Sequence, residues 1–162
     1  GSILLAISSK IKIPFYPVPM TMQTFVVLFI GIAFGWKLGV ATVSLYIFEG
    51  LMGLPVFSGT PEKGLGVVYF TGPTMGYLIG FIVTVYLAGK FNYDGKLIKT
   101  FLKLTFAISF IYILGLIWLG NLIGWEKPIF QLGAKPFLFA ELFKILLITL
   151  TVNQIKKFRK II

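Results

Sequence analysis

Apolar runs separated by isolated charges organise this chain. Residues 13–36, 64–89 and 104–125 contain no Asp, Glu, Lys or Arg. A membrane-crossing helix takes about 20 mostly apolar residues, so each run is long enough to hold one. Pro14, Pro17 and Pro19 take the front of the first run out of helix, because proline fixes φ, lacks an N–H and restricts the residue before it. A short helix over 21–36 remains. A second is predicted over 38–52, a third over 72–89 and a fourth over 100–123. A fifth covers 136–155, with Pro136 at its start, where a helix tolerates proline. Segment 3–12 adds a partial helix, truncated or tilted. The pattern predicts an all-α polytopic membrane protein of six transmembrane helices, the first incomplete, in one integral-membrane domain over 1–162.

Composition narrows the class. Hydrophobic residues make up 57% and charged residues 12%, against about 25% charged in soluble domains. Mean hydropathy is +0.95. The chain has no Cys and no His, which removes disulfides, thiolate nucleophiles and the usual zinc ligands and leaves the redox compartment undetermined. The net charge of +10 is not a nucleic-acid footprint, because the basic residues lie between and after hydrophobic segments rather than in one patch. Segment 1–9, GSILLAISS, has no basic stretch before it, so an ordinary secretory signal is not expected. The opening Gly-Ser reads as a cloning scar or as the mark of a missing native start.

The charges also orient the spans. With both termini in the cytoplasm, the inside receives Lys37, Lys90, Lys96, Lys99, Lys103, Lys156, Lys157, Arg159 and Lys160. The outside receives Lys10, Lys12, Lys63, Lys127 and Lys135; with Lys144 inside a span, these account for all 15 basic residues. The excess lies inside, as the positive-inside rule expects. The proline loop 14–20 and the loops 53–71 and 124–135 then all face outward.

The last predicted helix carries an acid and a base in an apolar stretch, PFLFAELFKILLITL (136–150). Glu141 and Lys144 are three residues apart and share a helix face. At 1.5 Å per residue they lie roughly 8 and 12 Å below Pro136, at the floor of an outward pocket. A charge mid-membrane costs roughly 2.5–3.5 kcal/mol. Two readings stand open. The pair neutralises itself, or it offers an acceptor and a donor to a polar ligand group; a cyclic urea, with N–H and C=O on one ring, suits the second.

Other stretches carry weaker signals. In PFYPVPMTMQTF (14–25), Thr21 is a helix cap in waiting and Gln23 an amide available to a ligand. Segment 49–81 is broken repeatedly by Gly and Pro, yet holds Leu54, Val56, Phe57, Val67, Val68, Tyr69 and Phe70. A loop that apolar folds back over something apolar, as a lid over a pocket does. Lys63 is the lid's cation, open to a ligand carboxylate or simply to solvent. Tyr46, Phe57 and Tyr77 are pocket wall or core. Glu49 is an intramembrane acid without an evident partner. Gly89-Lys90 is followed by Phe91 and Gly95-Lys96 by Leu97, so no phosphate-binding loop is present. Without His or Cys, and with a single acid–base pair, nothing argues for catalysis.

PVPMTMQTF (17–25), GLPVFSG (53–59) and GPTMGYLIGF (72–81), followed by PFLFAELFK (136–144), resemble the BioY family in order and spacing. These are the biotin-specific substrate-binding (S) components of energy-coupling-factor (ECF) transporters. The resemblance runs over nearly the whole chain from about residue 11. It implies a six-helix protein of a prokaryotic plasma membrane that captures biotin from outside. Its implied partners are membrane lipid, a transmembrane coupling subunit and two ATP-binding-cassette ATPases. It implies no cofactor and no enzymatic activity. The family's acid-x-x-lysine falls on Glu141 and Lys144, the implied contacts of the ureido ring; the family commonly has aspartate at the acid position. A loop basic residue, usually arginine, falls on Lys63, facing the valerate carboxylate. The small-residue motif that docks the coupling subunit is not intact; Ala6 and Ser9 remain of it. The rival readings are an S component for another vitamin, such as riboflavin or thiamine, a membrane-embedded enzyme, and a scaffolding subunit.

Overall fold

The apolar runs do form helices. The computed structural model describes residues 1–14 and 16–162. In chain order these hold α1 (Ser2–Lys10), β1 (Lys12–Ile13), β2 (Met20–Thr21), α2 (Gln23–Leu51), α3 (Val67–Phe70), α4 (Met75–Lys90), α5 (Leu97–Ile123), α6 (Ile129–Gly133), a 3-10 turn (Lys135–Phe137) and α7 (Leu138–Phe158). Three stretches are long and apolar enough to cross a membrane: Gln23–Leu51, Leu97–Ile123 and Ile129–Phe158; Met75–Lys90 is a shorter apolar helix. Most boundaries fall within three residues of the sequence expectation. The fifth predicted helix starts later, because Pro136 belongs to the 3-10 turn that leads into α7.

The helices predicted over 21–36 and 38–52 are the two arms of α2. Gly35 separates them, with φ 75° and ψ 173°, a conformation open to glycine and strained for a residue with Cβ. The arms run antiparallel: Gln23 near the start of one arm donates from Nε2 to the Tyr46 hydroxyl of the other at 2.7 Å. At the Gly35 end, carbonyls freed by the break need partners. Arg159, just past α7, supplies them. Its Nε donates to Ile32 O at 3.0 Å, and its Nη2 to Gly31 O at 3.1 Å and to Gly89 O of α4 at 3.2 Å. Beside it, Lys156 donates to the exposed Asp94 carboxylate, and this hydrogen bond and charge hold the carboxyl below its ordinary value.

The prolines leave 14–20 unable to continue a helix, and the flanking residues pair instead. β1 and β2 are antiparallel, with Lys12 opposite Thr21 and Ile13 opposite Met20. This ribbon was not expected from the sequence. Helix α2 packs against α1, α4 and α7, and α5 against α4, α6 and α7. One apolar cluster joins Leu5, Val27, Tyr46, Phe57, Tyr77 and Phe81; a second, towards Arg159, joins Leu28, Ile32, Leu104, Ile148 and Val152. Outward, Phe48, Leu102, Phe106, Ile113, Leu146 and Leu150 are exposed. Such an apolar belt on long apolar helices is the surface that membrane lipid covers.

Candidate functional site

At the end opposite Gly35, the chain forms a partly open cavity. Its wall draws on every element that meets there: Met20 and Thr21 of β2, Gln23 and Thr24 of α2, Phe57 and Tyr69 of the 52–70 stretch, Tyr77 and Phe81 of α4, Tyr112 of α5, and Phe137 and Glu141 at the start of α7. An aromatic, largely apolar lining with a few polar groups is the usual make-up of a small-molecule site.

The lid expectation holds for part of the loop. Phe57 is 1% exposed, stacks on Tyr69 at 4.8 Å and meets Tyr46 edge-on at 5.3 Å. Val56 is half-buried and Phe70 buried, whereas Leu54, Val67 and Val68 point outward and are exposed. The stretch is anchored from α1 and β1. Ser9 donates to Val56 O at 2.8 Å, Lys10 to Phe57 O and Thr60 O at 2.8 Å each, and Lys12 to Ser58 O. Lys10 and Lys12 therefore bring cations to this loop from elsewhere in the chain, which local sequence could not show.

Of the residues singled out in the sequence, Gln23, Phe57, Tyr77 and Glu141 line the cavity. Tyr46 stands behind it, taking the Gln23 amide and donating to Val56 O at 3.0 Å, so it fixes Gln23 to the lid. Thr21 accepts the Gln23 backbone N–H at 3.3 Å, but the cap of the helix is Met22, one residue later than expected. Tyr77 donates to Gly133 O at 2.8 Å, and its ring fits where Gly115 of α5 has no side chain. Lys63 is exposed and outside the wall, with its stem beside Gly59, which also abuts the Tyr69 ring. Glu49 accepts from the Ser2 hydroxyl at 3.1 Å.

Glu141 and Lys144 are 5% and 4% exposed and form an ion pair of 2.9 Å. Thr24 and Tyr112 complete the cluster, donating to Glu141 Oε1 at 2.9 and 3.0 Å. Sequence reading missed both, though a hydroxyl in the middle of an apolar α5 was a signal in Tyr112. Buried charges are tolerated when paired and hydrogen-bonded, and Glu141 Oε1 and the Lys144 ammonium meet that condition. The arrangement can accept hydrogen bonds from a polar ring held among aromatics. Among the described residues, no group of His, Cys, Asp and Glu is placed to hold a metal.

Comparison with known proteins converges on one family. The BioY family model matches residues 1–160. The probable biotin transporter BioY of Pyrococcus horikoshii is 33% identical over 87% of this chain and 82% of its own length. The biotin transporter BioY of Thermotoga maritima is 33% identical over 95% and 90%. A crystal structure of the S-component for biotin from an ECF-type ABC transporter superposes with a TM-score of 0.73 at 27% identity, covering 96% of this chain and 86% of that one. On fold, sequence and the motifs that line its cavity, the chain belongs to the BioY family.

Proposed function

We propose that this chain takes up biotin, binding it in the cavity as the substrate-capture component of an ECF-type transporter. The observation that carries this reading is the buried Glu141–Lys144 pair, set beside an aromatic-lined cavity in a BioY-family chain. The ureido ring lies at Glu141, the apolar part of biotin against Phe57, Tyr69, Tyr77 and Phe137, and the Gln23 amide beside a polar edge. The valerate carboxylate reaches the mouth, where Lys63 is its cation. Six spans with both termini in the cytoplasm fit the charges. Lys10, Lys12 and Lys63 stand at the cavity end, and Lys37, Lys90, Lys156 and Arg159 at the other. The mouth then faces outward. A transmembrane coupling subunit and two ABC ATPases supply the energy, and the chain itself catalyses nothing.

The magnitude is feasible. Nanomolar affinity needs about −12.3 kcal/mol, or roughly −0.8 per atom for a ligand of about 16 heavy atoms, within the ceiling of about −1.5. Biotin, riboflavin and thiamine titrated against the purified protein in detergent, with melting as readout, test the reading. Biotin alone should raise the melting temperature. A shift with another vitamin and none with biotin would overturn it.

A further inference from the structure

Trp36 and Lys37 stand where the chain turns at Gly35, and α4 ends beside them at Lys90. Gly89 makes the approach possible: a Cβ there would lie 2.4 Å from the Trp36 nitrogen, well inside the separation at which heavy atoms pack. The two helices thereby share a small cluster at the surface. The Lys37 ammonium lies 5.5 Å from the centre of the Trp36 ring, and the Lys90 ammonium 5.9 Å. Lys90 is also 5.6 Å from the Tyr86 ring, and the two rings meet edge-on at 5.7 Å. All four residues are exposed.

The cluster holds more positive charge than its own residues can balance. An indole face attracts an ammonium through its quadrupole and carries no net charge. Among the described residues the ion pairs are Glu141–Lys144 and Asp94–Lys156, so neither Lys37 nor Lys90 has an acid. Two like charges drawn to one ring repel each other, and an anion between them relieves that repulsion.

What continues from the cluster is apolar. Ile79, Val83, Tyr86 and Lys90 recur at helical spacing on one face of α4. Ile79 is exposed and Val83 half-buried. At 1.5 Å per residue the stripe runs roughly 16 Å from Lys90 to Ile79, about half of a hydrocarbon core of roughly 30 Å. Cation, aromatic and apolar positions thus follow one another in the order of phosphate, interface and acyl chain across one leaflet.

We infer that Trp36, Lys37, Tyr86 and Lys90 form a binding site for an anionic phospholipid. Its phosphate lies at the two ammonium groups, its glycerol against the two rings, and one acyl chain along Val83 and Ile79. A zwitterionic lipid fits less well, because its own cation offsets its phosphate. A soluble anion would leave the apolar stripe uncovered.

Trp36 is itself the reporter in protein carrying Trp118→Phe and Trp125→Phe, which leaves it the sole tryptophan of the chain. The protein is reconstituted in vesicles of phosphatidylglycerol and phosphatidylcholine in equal parts. The acyl chains of one lipid or of the other are brominated, so that they quench a nearby indole. Composition and surface potential are then the same in both arms. One lysine near the membrane surface is worth about a factor of five in attraction to anionic lipid. Brominated phosphatidylglycerol should therefore associate with Trp36 about fivefold or more above brominated phosphatidylcholine. Lys37→Gln with Lys90→Gln should bring that ratio within about twofold of unity. Lys96→Gln with Lys99→Gln removes the same charge from two other exposed positions and should keep the parent ratio. A parent ratio near unity overturns the inference. So does a loss as large in the second pair as in the first, which would mean diffuse attraction and no site. Added glycerol phosphate should leave the ratio unchanged; if it abolishes the preference, the cluster binds small anions and not lipid. Native mass spectrometry of the chain with its three tryptophans, carrying either lysine pair and released from the same lipid mixture, makes the same comparison if the tryptophan variants do not fold.

Discussion

Replacing Glu141 by Gln separates the two roles that a buried ion pair can have. The substitution keeps shape and one carbonyl oxygen, so Thr24 and Tyr112 retain an acceptor. Lys144, 4% exposed, loses its charge partner and keeps neutral acceptors, Thr21 O and Thr24 Oγ1 among them. Removing one member of a buried pair costs about 3–5 kcal/mol, and the remaining acceptors favour the lower figure. At roughly 2–4 °C per kcal/mol for a chain of this size, the melting temperature should fall by about 6–12 °C. Adding Lys144→Met removes the stranded charge and should recover part of that loss, up to about 2 kcal/mol, because the Thr21 carbonyl left unpaired costs about 1–3 kcal/mol. Binding should behave differently. On the proposed function both variants lose the carboxylate's bond to the ureido ring, about 1.5–3 kcal/mol, a drop of roughly 10- to 150-fold in biotin affinity, and the second substitution should not restore it. The assay is calorimetric titration with biotin in detergent, run beside melting curves of parent, single and double variants. A double variant that is stable and binds biotin like the parent would falsify the site and leave mutual neutralisation as the pair's whole purpose.

Four further outcomes follow from particular contacts. Gly115→Ala puts a methyl 2.5 Å from the Tyr77 ring; overpacking of about 1–3 kcal/mol should lower both melting temperature and biotin affinity, and an unchanged pair of values would mean that Tyr77 is not held there. Arg159→Met should speed amide exchange around 31–36 and 89–93, with Arg159→Lys recovering only part because an ammonium lacks the guanidinium fork; unaltered exchange would remove Arg159 from the account of the Gly35 break. Lys63→Ala should weaken binding of biotin but not of a biotin amide, and equal losses would make Lys63 a solvated loop residue. Cysteines at the exposed Glu62 and Lys160 should be labelled from opposite sides of the membrane; labelling from one side refutes the proposed orientation.

What the sequence could reveal was set by how local the cause was. Helix positions followed from apolar run length, and the Glu141–Lys144 pair from two charges where charge is costly. Both are signals carried by neighbours in the chain. The α2 break was half legible: Lys37 marked a turn, but the residue with the required φ is Gly35. The β1–β2 ribbon was not legible, because prolines say that a segment is not helical without saying what it pairs with. The anchoring of the lid by Lys10 and Lys12 joins residues nearly fifty positions apart, and Thr24 meets Glu141 across 117. No periodicity encodes such distances. Likewise, that Glu141 borders the cavity and Lys144 a separate groove depends on where Thr21 lies.

The Gly35 end has a consequence for rates. There the chain reverses through one residue, and a single guanidinium joins carbonyls of α2 and α4 to the end of α7. Segments that open easily are those with few such ties, and 52–66, with positive φ at Gly53, Gly64 and Gly66, is anchored mainly by α1 and β1. On the proposed function, ligand entering this protein on its own and ligand leaving it both pass 52–66. A change that stiffens 52–66 without touching the bound contacts therefore slows association and dissociation by the same factor. The equilibrium constant stays where it was, and the difference appears as a longer residence time, visible in stopped-flow traces and invisible in a titration.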